Sequence, residues 1–173
     1  MVKEIAEVLI ASGAVEFGKF TLASGRESSY YIDIKTAATK PTLLGKIADE
    51  VARNHNFDII AGVAVGGVPL AVAVSLASGK PYAIIRSSEK DHGKKGKIIG
   101  NVSGKNVLLI EDVTTSGGSA QYGITELRNA GAHISSVITV VDREEGAADL
   151  LAKDNVTLIP LARVSEILAA RKS

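Results

Sequence analysis

Residues 107–119 read Val107-Leu108-Leu109-Ile110-Glu111-Asp112-Val113-Thr114-Thr115-Ser116-Gly117-Gly118-Ser119: an aliphatic run, two acids, then a turn of hydroxyls and glycines. Four consecutive aliphatic residues without polar alternation are the pattern of a strand covered on both faces. The strand is expected over 106–111, and a helix is expected over 118–129. A buried strand that turns into a helix is half of a parallel βαβ unit. It places its turn beyond the carboxyl end of the strand, where open α/β sheets bind ligands.

The same order of apolar strand, glycine-bearing turn and helix extends to both sides. Further strands are expected at 58–65, 81–86, 134–142 and 156–161, and helices at 68–78, 144–153 and 164–171. Before them, residues 3–12 predict a short helix ended by Gly13, and two extended runs, 17–23 and 28–34, flank Ser24-Gly25-Arg26, a hairpin signature. Pro41 then opens a helix whose Leu43, Leu44, Ile47, Ala48 and Val51 form one apolar stripe. The fold class is α/β, with a mostly parallel central sheet, right-handed crossovers and flanking helices.

The length of 173 residues suits a single domain, 1–173. With no cysteine, disulfides and cysteine-ligated zinc are excluded. Glu4 and Glu7 interrupt any signal-peptide apolar region, and no apolar run reaches the roughly 18 residues of a membrane span. A cytoplasmic location is the expectation. The formal charge of +1 offers no field for nucleic acid, but it is unevenly spread. Arg86, Lys90, Lys94, Lys95 and Lys97 stand against Glu89 and Asp91, a local +3, so the rest of the chain sums to −2. This segment opens a polar stretch, 87–102, with glycines at 93, 96 and 100 and no sustained period, read as a mobile binding loop or lid rather than a plain hairpin tip.

The 114–119 turn offers hydroxyls and backbone N–H groups at a helix N-terminus, the usual cradle for a phosphate. It lacks the glycine-lysine pair of a Walker loop and the three spaced glycines of a dinucleotide site. Glu111 and Asp112 would repel a phosphate unless they face something else, and sugar hydroxyls suit acceptors that cannot donate. A ribose 5-phosphate satisfies both halves. The bland reading of the acids is as solvated residues at a strand end.

The segment Ile110 to Gly118 resembles the phosphoribosyl-diphosphate motif of the type I phosphoribosyltransferases. Phe20-Thr21-Leu22-Ala23-Ser24-Gly25-Arg26, Tyr30-Tyr31, and Arg86 through Lys90-Asp91-His92-Gly93 further resemble the orotate phosphoribosyltransferases within that family. The resemblance implies the type I fold, with a small N-terminal hood over 1–40 and the mobile loop over 87–102. It implies transfer of the phosphoribosyl group from 5-phospho-α-D-ribose 1-diphosphate to orotate, giving orotidine 5′-monophosphate and diphosphate in pyrimidine (UMP) biosynthesis. The diphosphate substrate would carry Mg2+, with no protein metal site. A homodimer is implied, the loop of one protomer closing over its partner's site, with no nucleic-acid or membrane partner.

Carried over by position, Arg86, Lys90, His92, Glu111, Asp112, Val113, Thr114, Thr115, Ser116, Gly117, Gly118 and Ser119 would bind phosphoribosyl diphosphate. Thr115 and Arg143 would bind orotate, the arginine's fork matching a planar anion. Asp112, Lys90 and His92 would be catalytic, while Tyr31 and Ile32 fall where the family lines its base pocket. His55 and His133 read as structural or solvated. Three lysines usual in the family are absent, their places taken by Ala23, Gly66 and Ser87, and Lys94, Lys95 and Lys97 are the candidate replacements. Two other readings remain open: transfer to a different base, and a regulator that senses phosphoribosyl diphosphate without catalysis. A DNA-binding regulator would be expected to add a basic helix-turn-helix.

Overall fold

The computed structural model describes residues 2–21, 25, 27–87 and 96–171. Lys90 and His92, together with Ala23, Lys94 and Lys95, lie outside the described residues. In chain order the elements are α1 (Val2–Ala11), β1 (Val15–Thr21), β2 (Glu27–Ile32), α2 (Ile34–Ala37), α3 (Pro41–Asn54), β3 (Ile59–Val63), α4 (Gly67–Ser78), β4 (Tyr82–Ile85), β5 (Ile98–Ile99), β6 (Val107–Thr114), α5 (Gly118–Asn129), β7 (Ser136–Asp142), α6 (Ala147–Ala152), β8 (Thr157–Arg163) and α7 (Val164–Ala170).

Two sheets result. β1 and β2 pair antiparallel, and the main sheet runs β5-β4-β3-β6-β7-β8, parallel throughout except for β5 on β4. Strand order therefore reverses between β3 and β6: β4 lies to one side of β3, and β6, β7 and β8 lie to the other. Loops leaving β3 and β6 diverge there and leave a crevice at the carboxyl edge, the topological switch point.

Successive strand residues face opposite sides. Leu108, Ile110, Ile138 and Val140 join α1, α3, α4 and α7 in one core cluster, while Val107, Leu109 and Val137 join α5 and α6 in the other. Each fully buried leucine or isoleucine contributes about 1.5–3 kcal/mol of hydrophobic stabilisation, which explains why the central strands can be aliphatic almost without interruption. The layers meet where glycine permits it. A Cβ on Gly62 would lie 2.3 Å from the Gly67 carbonyl oxygen, so the start of α4 sits directly on the backbone of β3.

Several expected boundaries shift for identifiable reasons. β6 continues to Thr114 because Val113 and Thr114 still pair with Val141 and Asp142 of β7. α6 starts at Ala147 rather than at 144, since Glu144 (φ 59°) and Gly146 (φ 103°) are left-handed and cannot begin a helix. Within the expected loop 87–102, Ile98 and Ile99 pair with Ile85 and Ile84 as β5, and Val102 is buried, so its C-terminal part belongs to the body. α1 packs Ile5, Ala6 and Leu9 into the main core with α7, leaving the β1–β2 sheet and α2 as the distinct part of the N-terminal segment. Among the described residues no helix is long and apolar enough to cross a membrane.

Candidate active site

The β6–α5 junction closes through Gly117 at φ 88°, where a Cβ would lie 3.1 Å from the Ala147 Cα. Glycine is thus required twice, for the left-handed turn and for the approach of α6. Thr115 and Ser116 are exposed at the tip, and the free N–H groups of the first turn of α5 point the same way, adding the positive end of a twelve-residue helix. An anionic phosphoryl group fits this turn. Thr114 is different: it is buried, and its hydroxyl donates to Asp142 Oδ1 at 3.2 Å. Val113 packs against the core and brings no polar side chain to the crevice.

The acidic pair divides between the two faces of the sheet. Glu111 turns toward α5 and accepts a hydrogen bond from the Ser119 hydroxyl at 2.9 Å. Only 4% exposed, its carboxyl is pushed up to about 7 by burial, against the Ser119 hydrogen bond that lowers it and with the Asp112 charge adding to the rise. Asp112 turns toward α2 and the Gly66 turn, where its Oδ2 lies 2.8 Å from the Lys35 ammonium. The two acids expected at the sugar thus have different protein partners, Ser119 for Glu111 and Lys35 for Asp112. Ser119, expected in the phosphate cradle, spends its hydroxyl on Glu111 here.

Arg143 follows β7 at the same edge of the sheet. Its N–H donates to the Thr114 carbonyl at 2.9 Å, its Nε lies 3.1 Å from Glu145 Oε1, and its guanidinium stands 5.6 Å from the centre of the Tyr30 ring. Tyr30, not Tyr31, thus links β2 to the site. Alternation along β2 turns Tyr31 outward, 46% exposed, to stack on Phe20 at 5.7 Å, while Ile32 packs inward against the core. Asp142 was legible only as a strand end, yet it holds both the Thr114 hydroxyl and, at 3.1 Å, the Glu144 N–H, fixing the turn that carries Arg143.

Arg86 lies where β4 ends. Its N–H donates to the Lys97 carbonyl at 2.7 Å, its side chain to the Gly96 carbonyl at 3.3 Å, and its own carbonyl accepts from the Tyr122 hydroxyl at 2.7 Å. These bonds tie the two ends of the basic excursion together on α5. Lys97, one of the candidate replacement cations, is drawn to α5 as well, 2.9 Å from Glu126 and over the Tyr122 ring. Gly66 is buried, and Ser87 is exposed beside Arg86. Among the described residues no group of three His, Cys, Asp or Glu is placed to hold a metal. A cavity of about 620 Å³ lined by Phe57, Lys80, Tyr82 and Lys105 opens at the opposite, amino-terminal ends of β3 and β4, away from these groups.

Comparison with known proteins agrees with this geometry. The family profile described as "Phosphoribosyl transferase domain" matches residues 37–166. A curated relative from Methanocorpusculum labreanum, named orotate phosphoribosyltransferase, is 65% identical over 98% of this chain and 100% of its own. The crystal structure of orotate phosphoribosyltransferase from Aeropyrum pernix superposes with a TM-score of 0.82 at 32% identity, covering 97% of this chain and 98% of the other. A Mycobacterium tuberculosis orotate phosphoribosyltransferase solved with 5-phospho-α-D-ribosyl 1-diphosphate superposes at 0.77 with 27% identity, covering 96% of this chain and 98% of that one. The hydroxyl-glycine turn between β6 and α5, the switch-point crevice and the full-length likeness together mean that the chain belongs to the phosphoribosyl transferase family, among the orotate phosphoribosyltransferases.

Proposed function

We propose that the chain transfers the 5-phosphoribosyl group of 5-phospho-α-D-ribose 1-diphosphate to orotate, forming orotidine 5′-monophosphate and diphosphate in pyrimidine biosynthesis. One observation carries the reading: at a single sheet edge, a hydroxyl-glycine turn heads a helix and a guanidinium beside an aromatic ring follows the neighbouring strand. The first suits the 5-phosphate, and the second suits a planar anionic base.

The chemistry requires little covalent help. The bond from the anomeric carbon to the diphosphate oxygen breaks with its electron pair leaving on the diphosphate, and the deprotonated ring nitrogen of orotate forms the new bond to that carbon. Positioning and charge stabilisation supply the rate. The first turn of α5, with Thr115 and Ser116, holds the phosphate. Asp112 faces the ribose and opposes the positive charge that develops on it, and Arg143 with Thr115 orients the base. Arg86, with Lys90 and His92 of the same loop, neutralises the leaving diphosphate. A Mg2+ ion carried by the substrate would be held chiefly by its phosphate oxygens, and the chemistry it would supply is to offset diphosphate charge. The loop closes over the site of a partner protomer, excluding water.

Steady-state turnover with phosphoribosyl diphosphate and Mg2+ is the direct test. Orotate is expected to react, with uracil, adenine, guanine and hypoxanthine inert. Turnover of another base in place of orotate overturns the substrate, and tight binding of phosphoribosyl diphosphate with no product from any base favours a sensing role.

A further inference from the structure

Lys35 belongs to no motif of the chain, yet it is built into the crevice. Asp33 caps α2, its Oδ1 accepting the Thr36 N–H at 2.9 Å, and its own N–H donates to the Ala14 carbonyl at 2.9 Å. Ile34 and Ala37 are buried on either side. The backbone of Lys35 is thereby fixed while its side chain stays 64% exposed and reaches across to Asp112, whose side chain is 10% exposed.

The opposite side of that carboxylate is the turn after β3. A Cβ at Gly66 would fall 2.4 Å from Asp112 Oδ2 and 2.5 Å from its Cγ. No side chain can grow from position 66 without displacing Asp112, so the cation that serves this carboxylate comes from α2. An ion pair with so exposed a lysine adds little to stability, so it is readily exchanged for a polyanion. Its Asp112 partner also holds the Lys35 ammonium above the usual lysine range, keeping it charged at neutral pH.

We propose that Lys35 is a substrate-binding residue: its ammonium neutralises Asp112 in the free protein and moves to the diphosphate of phosphoribosyl diphosphate on binding, releasing Asp112 to face the ribose. The proposal rests on the function given above. It assigns the cation that Gly66 cannot carry.

The test compares wild type with Lys35→Met and Lys35→Arg in turnover and in calorimetric binding of inorganic diphosphate with Mg2+ and no base. Loss of one charge-assisted contact predicts that Lys35→Met weakens diphosphate binding and raises the KM for phosphoribosyl diphosphate by about tenfold or more. The KM for orotate should change less than about twofold, and Lys35→Arg should restore most of the loss. A role limited to holding α2 would lower the unfolding midpoint and kcat while leaving diphosphate affinity intact, and that result overturns the proposal. Unchanged diphosphate affinity in a wild-type-like Lys35→Met also overturns it. Failure of the functional reading is separate: wild type itself would not turn over orotate, while the binding comparison would still report on Lys35.

Discussion

Glu111 and Asp112 are adjacent in sequence, but the pleat of β6 sends one toward α5 and the other toward α2. Their titration should differ accordingly. Burial raises the Glu111 carboxyl to about 7 from an ordinary value of 4.5. Below about 4.5 it is protonated folded and unfolded alike. As pH rises toward 7 the unfolded chain ionises first, so folding stability falls by about 3 kcal/mol at about 1.4 kcal/mol per pKa unit. Glu111→Gln removes that penalty while its amide oxygen still accepts from Ser119. Urea denaturation should show the variant gaining on wild type between pH 5 and 8, and a difference independent of pH would contradict this account. Arg143→Ala, by contrast, tests the proposed recognition of the base. Steady-state kinetics should show the KM for orotate rising about tenfold or more, the cost of a charge-assisted contact, with the KM for phosphoribosyl diphosphate little changed. Equal effects on both would remove Arg143 from the base site.

At the level of elements, the turn between β6 and α5 is held by backbone conformation as much as by side chains. Gly117→Ala places a Cβ at φ 88° and 3.1 Å from the Ala147 Cα. Left-handed backbone alone costs about 1–2 kcal/mol for an L-residue, so an unfolding free energy lower by about that amount or more is expected, with weaker binding of phosphoribosyl diphosphate. A wild-type midpoint would show that the turn relaxes freely. The elements also mark how far local pattern reaches. α5 is observed at Gly118–Asn129, the expected span, because glycine punctuation and apolar spacing are local signals. α2 had no such signal: four residues are too short for a period, and it exists because Asp33 caps it and Ile34 and Ala37 find the core. β5 was hidden for the same reason, two isoleucines that become a strand only beside β4. The choice between Tyr30 and Tyr31 depended on which face of β2 packs inward, since exposure alternates without a break from Glu27 to Ile32.

For the whole molecule, strand order β5-β4-β3-β6-β7-β8 brings the turn after β3, the acids of β6 and Arg143 after β7 to one crevice. Sites shared between two protomers would make mixing informative. Lys90→Ala and Arg143→Ala, each weakly active alone, should regain activity when their subunits are exchanged in one solution, since a mixed dimer then contains one site with neither substitution. A monomer in sedimentation, or no recovery after exchange, would place the loop over its own protomer's site. The α/β class, the hydroxyl-glycine turn after β6 and the lack of cysteine chemistry were legible in the chain alone, because strand aliphatics, glycine turns and helix starts are written in contiguous residues. Packing in three dimensions was needed to part Glu111 from Asp112, to bring Lys35 and Gly66 to one carboxylate, and to set Tyr30 against Arg143. Those contacts join residues far apart in the chain, and pleat, register and strand order set them together.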